Sequence, residues 1–161
     1  MKGNVPHILF IVLGAIVLAA CGTKGSQMAE PTVRTTQEWI EVGDYDVLVH
    51  EFVDETDSQG DQRVIFINVE YANNRSNEAL SCRKNQWYLY DDQGYSYEAG
   101  SKASLYDDKN LQYLGGERFI TLNKNLRGWL AFEIPDDAVV DGIQFITGFL
   151  GTESVDIFVK N

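Results

Sequence analysis

Apolar positions recur in two different ways along this chain. From Ile8 to Ala20 they form a near-continuous run of 13 residues, whose small break is Gly14. After residue 37 they alternate with polar ones over short stretches, the period of half-buried strands. Tyr45 to Phe52 offers Tyr45, Val47 and Val49 on one face and Leu48, His50 and Phe52 on the other. Arg63 to Tyr71 sets Ile65, Ile67, Val69 and Tyr71 against Val64, Phe66, Asn68 and Glu70. Further runs rich in β-branched and aromatic residues span Trp87–Tyr90, Arg118–Leu122, Trp129–Ile134, Ile143–Thr147 and Val155–Val159. Turn residues punctuate them: Asp54–Asp61 with Gly60, Asn73-Asn74, Asp92-Gln93-Gly94, Gly115-Gly116, Pro135-Asp136-Asp137 and Gly151. No stretch after residue 37 sustains a helical period over three turns; short helices are expected only near Ser101–Tyr106 or Asp136–Val140. This spacing predicts an all-β domain over 38–161, an antiparallel sandwich or barrel of seven to eight strands.

The apolar run near the start reads differently. Crossing a bilayer takes about 20 apolar residues, whereas a cleavable signal needs only ~7–15, with small residues before the cut. Lys2, the run itself and Leu18-Ala19-Ala20-Cys21 resemble a bacterial lipoprotein signal. Residues 1–20 are then a cleaved signal helix, cut between Ala20 and Cys21, and Cys21 carries the lipid. An uncleaved, short transmembrane anchor is the alternative, and the position of the cysteine argues against it. Two acyl chains on Cys21 suffice for stable anchoring. Residues 21–37 are polar, include Pro31 and show no apolar period, as expected of a flexible tether with a reach of ~20 Å.

Gly22 follows the cysteine, so the aspartate that retains such proteins in an inner membrane is missing. The expected address is the extracytoplasmic side of the cell membrane, or the outer membrane if the source is diderm. Cys82 has no partner cysteine once Cys21 is lipidated, which leans towards a monoderm source.

Charge narrows the partners. The full chain has 13 Lys+Arg against 24 Asp+Glu, and removing residues 1–20 takes away Lys2 and no acid, moving the net charge from −11 to −12. Nucleic acid and anionic lipid surfaces both call for basic patches, so neither is an expected partner. The membrane contact is the lipid anchor alone.

Three runs then point to a family. Val64-Ile65-Phe66-Ile67-Asn68-Val69-Glu70-Tyr71-Ala72-Asn73-Asn74 is a hydrophobic strand ending in an Asn turn. Trp87-Tyr88-Leu89-Tyr90-Asp91-Asp92-Gln93-Gly94-Tyr95 is an aromatic strand running into an Asp-x-Gly hairpin. Gly128-Trp129-Leu130-Ala131-Phe132-Glu133-Ile134-Pro135 is a glycine, an apolar strand and Phe-x-x-Pro. In this order, over about 40–160, they resemble the telokin-like, immunoglobulin-like domains of bacterial lipoproteins and secreted proteins. That group, of unknown function, is similar in fold to the mycobacterial immunoprotective extracellular antigen. The resemblance implies an immunoglobulin-like sandwich and an exported address, and it supplies no catalytic residues. The chain departs from the family where Gly115-Gly116 and Leu122-Asn123-Lys124-Asn125 stand in place of Pro-Gly, leaving the connection before Gly128 undefined.

Candidate chemistry is sparse. His50 and Cys82 would make a nucleophile pair only if the fold brought them together with an orienting acid; a hydrogen-bonded strand histidine and a packing thiol are the simpler expectation. One histidine and one cysteine cannot complete a zinc site. Asp54, Asp57 and Asp61 offer oxygen ligands for calcium, but aligning Gly60 to the sixth position of an EF-hand loop puts Phe66 where a glutamate is needed. A solvated hairpin loop is the plainer reading, with no metal and no cofactor. Tyr88, Tyr90, Tyr95 and Tyr97 cluster around one hairpin, and whichever face is not core could present a surface to a glycan or a partner protein. The expectation is a non-enzymatic, membrane-anchored domain contacting an envelope protein or a cell-wall component; the alternative is a small-ligand or calcium-binding envelope lipoprotein.

Overall fold

Ile65, Ile67, Val69 and Tyr71 all point to the same side of strand β3 (Gln62–Asn73) and are essentially inaccessible to solvent. The computed structural model describes residues 37–55, 61–100, 104–107, 109–147 and 153–158, so the signal segment, Ala20, Cys21, the tether before Gln37 and Asp57 lie outside the described residues. β3 pairs antiparallel with β2 (Tyr45–Glu55) on one side and β8 (Lys124–Pro135) on the other. The short β1 (Ile40–Val42) completes a first sheet in the order β1-β2-β3-β8. A second sheet runs β10-β9-β5-β6, from Glu153–Phe158, Val140–Thr147, Trp87–Asp91 and Ser96–Glu98. Two remaining strands, β4 (Leu80–Cys82) and β7 (Arg118–Ile120), pair with each other.

The two sheets face one another across a core of Val47, Val49, Leu130, Phe132 and the β3 side chains from the first, with Trp87, Leu89, Ile143 and Phe145 from the second. Trp87 is at its centre, with the Phe145 ring centroid 4.8 Å away and that of Tyr71 5.9 Å away, edge-on. The buried indole N–H donates to Tyr71 Oη at 2.7 Å, and Tyr71 in turn donates to the Arg83 carbonyl at 2.9 Å. The polar atoms of both rings are thereby satisfied without water, as burial demands.

The eight strands of the two four-stranded sheets match the expected sandwich. β1, β4 and β6 fall outside the expected runs: each is three residues long and, unlike the equally short β7, is not part of a longer stretch of apolar residues. Ser104–Asp107 forms a single helical turn, α1. Asp136–Val140 is not helical: residues 136 and 137 turn, the Ala138 N–H bonds back to the Pro135 carbonyl, and Val140 opens β9. Lys124 and Asn125 already belong to β8; the turn before it is made at Asn123, whose φ of 61° is left-handed.

Simple alternation fails in β2, as it does where β9 carries the extra residue Asp141 opposite Tyr90 and Asp91. The pairing with β3 slips between Val49 and Glu51, leaving His50 as the extra residue of a bulge. Phe52 therefore faces the inter-sheet core together with Val47 and Val49 rather than sharing the outward face with Leu48 and His50. Val53, now outward, joins Phe66, Ala131 and Tyr106 in a second small cluster on the outer side of the first sheet. That cluster is roofed by α1 and residues 109–114. The Tyr106 hydroxyl accepts the Ala131 N–H at 2.6 Å, while Gly100 N and Leu114 N donate to the Ala131 and Trp129 carbonyls. The otherwise open edge of β8 is closed by this covering segment.

Candidate functional site

His50 and Cys82 are on different sides of the first sheet. Cys82 belongs to the inter-sheet core, 2% exposed, and burial pushes its thiol up to about 12. It is the packing thiol expected, and it stays protonated at neutral pH. His50, on the outward bulge, meets Glu70 Oε2 through Nε2 at 2.6 Å, and Asn125 donates to the other Glu70 oxygen at 2.8 Å. Glu70 orients the histidine, but the thiol lies in the inter-sheet core while this pair stands on the opposite face of the first sheet, so the two do not form a nucleophile pair.

Asp54 is engaged by Arg63, whose Nη1 lies 3.0 Å from Oδ2. A guanidinium already neutralises that carboxylate. Asp61 is exposed and offers its backbone carbonyl to the Asp136 N–H. Among the described residues no group of three or more His, Cys, Asp or Glu side chains is placed to hold a metal ion.

The tyrosines divide between faces. Trp87 and Leu89 point into the core, so the alternate residues Tyr88 and Tyr90 stand on the outer face of the second sheet. Tyr97 pairs with Leu89 and packs on the core side. Its hydroxyl donates to Asp91 Oδ2 at 2.7 Å, and that bond to the carboxylate raises it to about 12. Asp91 is buried, which alone would raise its pKa. The Tyr97 hydroxyl and the backbone N–H groups of Tyr95, Gln93 and Gly94 more than offset this, holding it below the usual carboxylate range. Asp91 is thus the organiser of the hairpin, and Tyr95 projects from that hairpin 64% exposed.

Beside Tyr90 the outer face has a recess. Register places Tyr90 opposite Gly142 of β9 on one side and Ser96 of β6 on the other, so neither neighbour projects a large side chain over its ring. The result is a cleft of about 260 Å³ lined by Tyr90, Asp141, Gly142, Gln144 and Asp156. Its polar groups are ordered in a relay: Tyr90 Oη donates to Gln144 Oε1 at 3.1 Å, and Gln144 Nε2 donates to Asp156 Oδ1 at 2.6 Å. Burial, then the Asp156 charge, pushes the Tyr90 hydroxyl up.

A second recess of about 710 Å³ opens at the other end of β5, lined by Tyr88, Ile146, Asn85, Arg83 and Asp44 among others. Tyr45 and Leu80, which belong to the inter-sheet core, also line it, so it opens at the end of the sandwich, and it shares no lining residue with the cleft beside Tyr90. Arg83 is pinned there by Glu117, which also accepts from the Ser81 hydroxyl at 2.7 Å; the Ser81 and Arg83 bonds hold Glu117 below its ordinary value. Gln144 and Asp156 escape a sequence reading. Their outward parity is visible, but nothing in the chain announces that β9 lies between β5 and β10.

With sandwich and surface placed, comparison with known proteins becomes informative. The profile of a domain of unknown function, DUF4352, matches residues 35–155. The chain belongs to the DUF4352 family. Solved structures share the fold of this DUF4352 chain at low identity. MPT63, a secreted protein of Mycobacterium tuberculosis, is 11% identical with a TM-score of 0.56, covering 83% of this chain and 99% of its own. YjhA of Bacillus subtilis is 13% identical at 0.59, covering 79% and 99%. YcdA of Bacillus subtilis, described as a candidate lipoprotein, is 14% identical at 0.54, covering 77% of this chain and 38% of its own. No curated protein matches the chain. Among the described residues no helix is long and apolar enough to cross a membrane.

Proposed function

We propose that this DUF4352 protein is a lipoprotein anchored through Cys21 on the extracytoplasmic side of the cell membrane. Its sandwich makes non-catalytic contacts with an envelope protein or a cell-wall component. The observation that carries this reading is the lipobox Leu18-Ala19-Ala20-Cys21 followed, beyond a polar tether, by a sandwich whose outer face carries an ordered polar-aromatic surface. The separation of a buried Cys82 from His50 supports a binding role over nucleophilic catalysis. The secreted MPT63 and the candidate lipoprotein YcdA lend the address support by analogy.

Metabolic labelling with radioactive palmitate tests the anchor. The wild-type chain should take up label and partition with membranes, and Cys21→Ser should do neither. Unlabelled wild-type protein, or label retained in the Cys21→Ser variant, would overturn the anchor.

A further inference from the structure

We infer that the groove along the outer face of the second sheet binds a saccharide carrying free amino groups, with Tyr90, Gln144 and Asp156 as its contact residues. The inference deepens the cell-wall arm of the proposed function and rests on it. Three features of the groove lead there.

The first is shape. Tyr88 and Tyr90 stand about 7 Å apart on one strand face, and the flanking Gly142 and Ser96 leave the Tyr90 ring open from both sides. A pyranose presents a flat patch of C–H bonds that packs on such a ring, with its hydroxyls at the periphery. A recess of about 260 Å³ suits one sugar ring.

The second is the hydrogen-bond inventory. The relay Tyr90–Gln144–Asp156 fixes a hydroxyl, an amide and a carboxylate side by side. It uses the Tyr90 proton, one lone pair and one amide proton of Gln144 and one oxygen of Asp156, leaving further lone pairs on all three groups and a second amide proton on Gln144. Mixed donors and acceptors held in place before binding match the alternating hydroxyl and amine groups of an amino sugar.

The third is charge. The lining of the smaller cleft includes Asp141 and Asp156 and no Lys or Arg. An anionic polymer would be repelled there. An ammonium group would meet the Asp156 carboxylate on one side and a tyrosine ring on the other, two interactions of the same sign. Charge therefore selects the amino sugar over its N-acetylated or acidic counterparts.

Calorimetric titration of the full chain in neutral detergent tests this, with a β-1,4-linked glucosamine tetramer as the probe. Saturable binding is expected, at least tenfold tighter than that of the N-acetylated tetramer and weakening as salt is raised. Tyr90→Ala and Asp156→Asn should each weaken binding tenfold or more. Tyr90→Phe, which keeps the packing ring, and circular dichroism of every variant separate lost contacts from lost folding. Glu51→Gln, far from the groove on β2, should leave the affinity unchanged. Four results overturn the inference: no binding at millimolar tetramer, equal affinity for the N-acetylated form, equal affinity for tetralysine, or full affinity in folded Asp156→Asn. Cys21→Ser should bind the tetramer as the wild type does. A failed titration thus bears on the groove, and failed palmitate labelling bears on the anchor.

Discussion

Asn73 shows how one side chain can set the course of three chain segments. It is wholly buried; its Nδ2 donates to the Glu78 carbonyl at 2.9 Å and the Ile120 carbonyl at 3.3 Å, while Oδ1 accepts the Ser76 N–H. Its backbone carbonyl accepts from Asn123, the left-handed residue that turns β7 into β8. The Asn turn at the end of β3 was legible as turn chemistry, but its grip on a segment nearly fifty residues away was not. Cys82 makes a different point. Below pH 9, its ordinary value, the buried thiol is neutral both folded and unfolded; its favourable contribution is lost as pH rises through about 12, since only the unfolded chain can ionise freely. Tyr71, raised well above its ordinary value by burial, acts in the same direction. In a Cys21→Ser background, the thiol should resist dithionitrobenzoate at pH 8 and react fully in urea. The melting temperature should fall between pH 9 and 11, and Cys82→Ala should make that fall shallower.

At the scale of elements, the long central strand β3 obeyed its pattern and its neighbours qualified theirs. Alternation from Val64 to Tyr71 sorted the side chains onto two faces as the structure has them, because β3 is paired on both sides and carries no extra residue of its own. β2 broke register at His50, and the bulge turned Phe52 inwards. No local signal marks the extra residue; the pairing with β3 creates it. β8 supplies the clearest case of a motif whose reason is tertiary. The Gly128 that opens the family-like run sits where the covering segment crosses: a Cβ there would lie 2.7 Å from Leu114 Cγ and 2.8 Å from the Gln112 carbonyl oxygen. Both neighbours are fixed, since Trp129 N donates to the Gln112 carbonyl and Leu114 N to the Trp129 carbonyl. Gly128→Ala should therefore cost about 1–3 kcal/mol in urea denaturation. Trimming Leu114 to alanine in that background should not restore the loss, because the Gln112 carbonyl is backbone.

The whole molecule is a sandwich whose core draws on both sheets and whose surface carries a large excess of acid. Side chains distant in sequence, such as Val47 and Phe145, share that core, so neither sheet has a complete core of its own. A fragment of residues 38–161 is expected to unfold in one step. Fluorescence, dominated by changes around buried Trp87, and far-ultraviolet circular dichroism should give coincident urea transitions. Separated transitions would mean that the sheets unfold independently.

The chain by itself declared its class, most of its strands and the two-faced alternation of β3, and it suggested an anchor at Cys21. These are readable because they depend on local period, turn residues and a contiguous motif. Tertiary structure decided the rest. It separated His50 from Cys82, gave Asp54 to Arg63, divided the tyrosines between two faces and set Gln144 and Asp156 beside Tyr90. Each of those outcomes depends on which strands lie next to one another and in what register, and pairing between segments fifty residues apart leaves no mark on either segment alone.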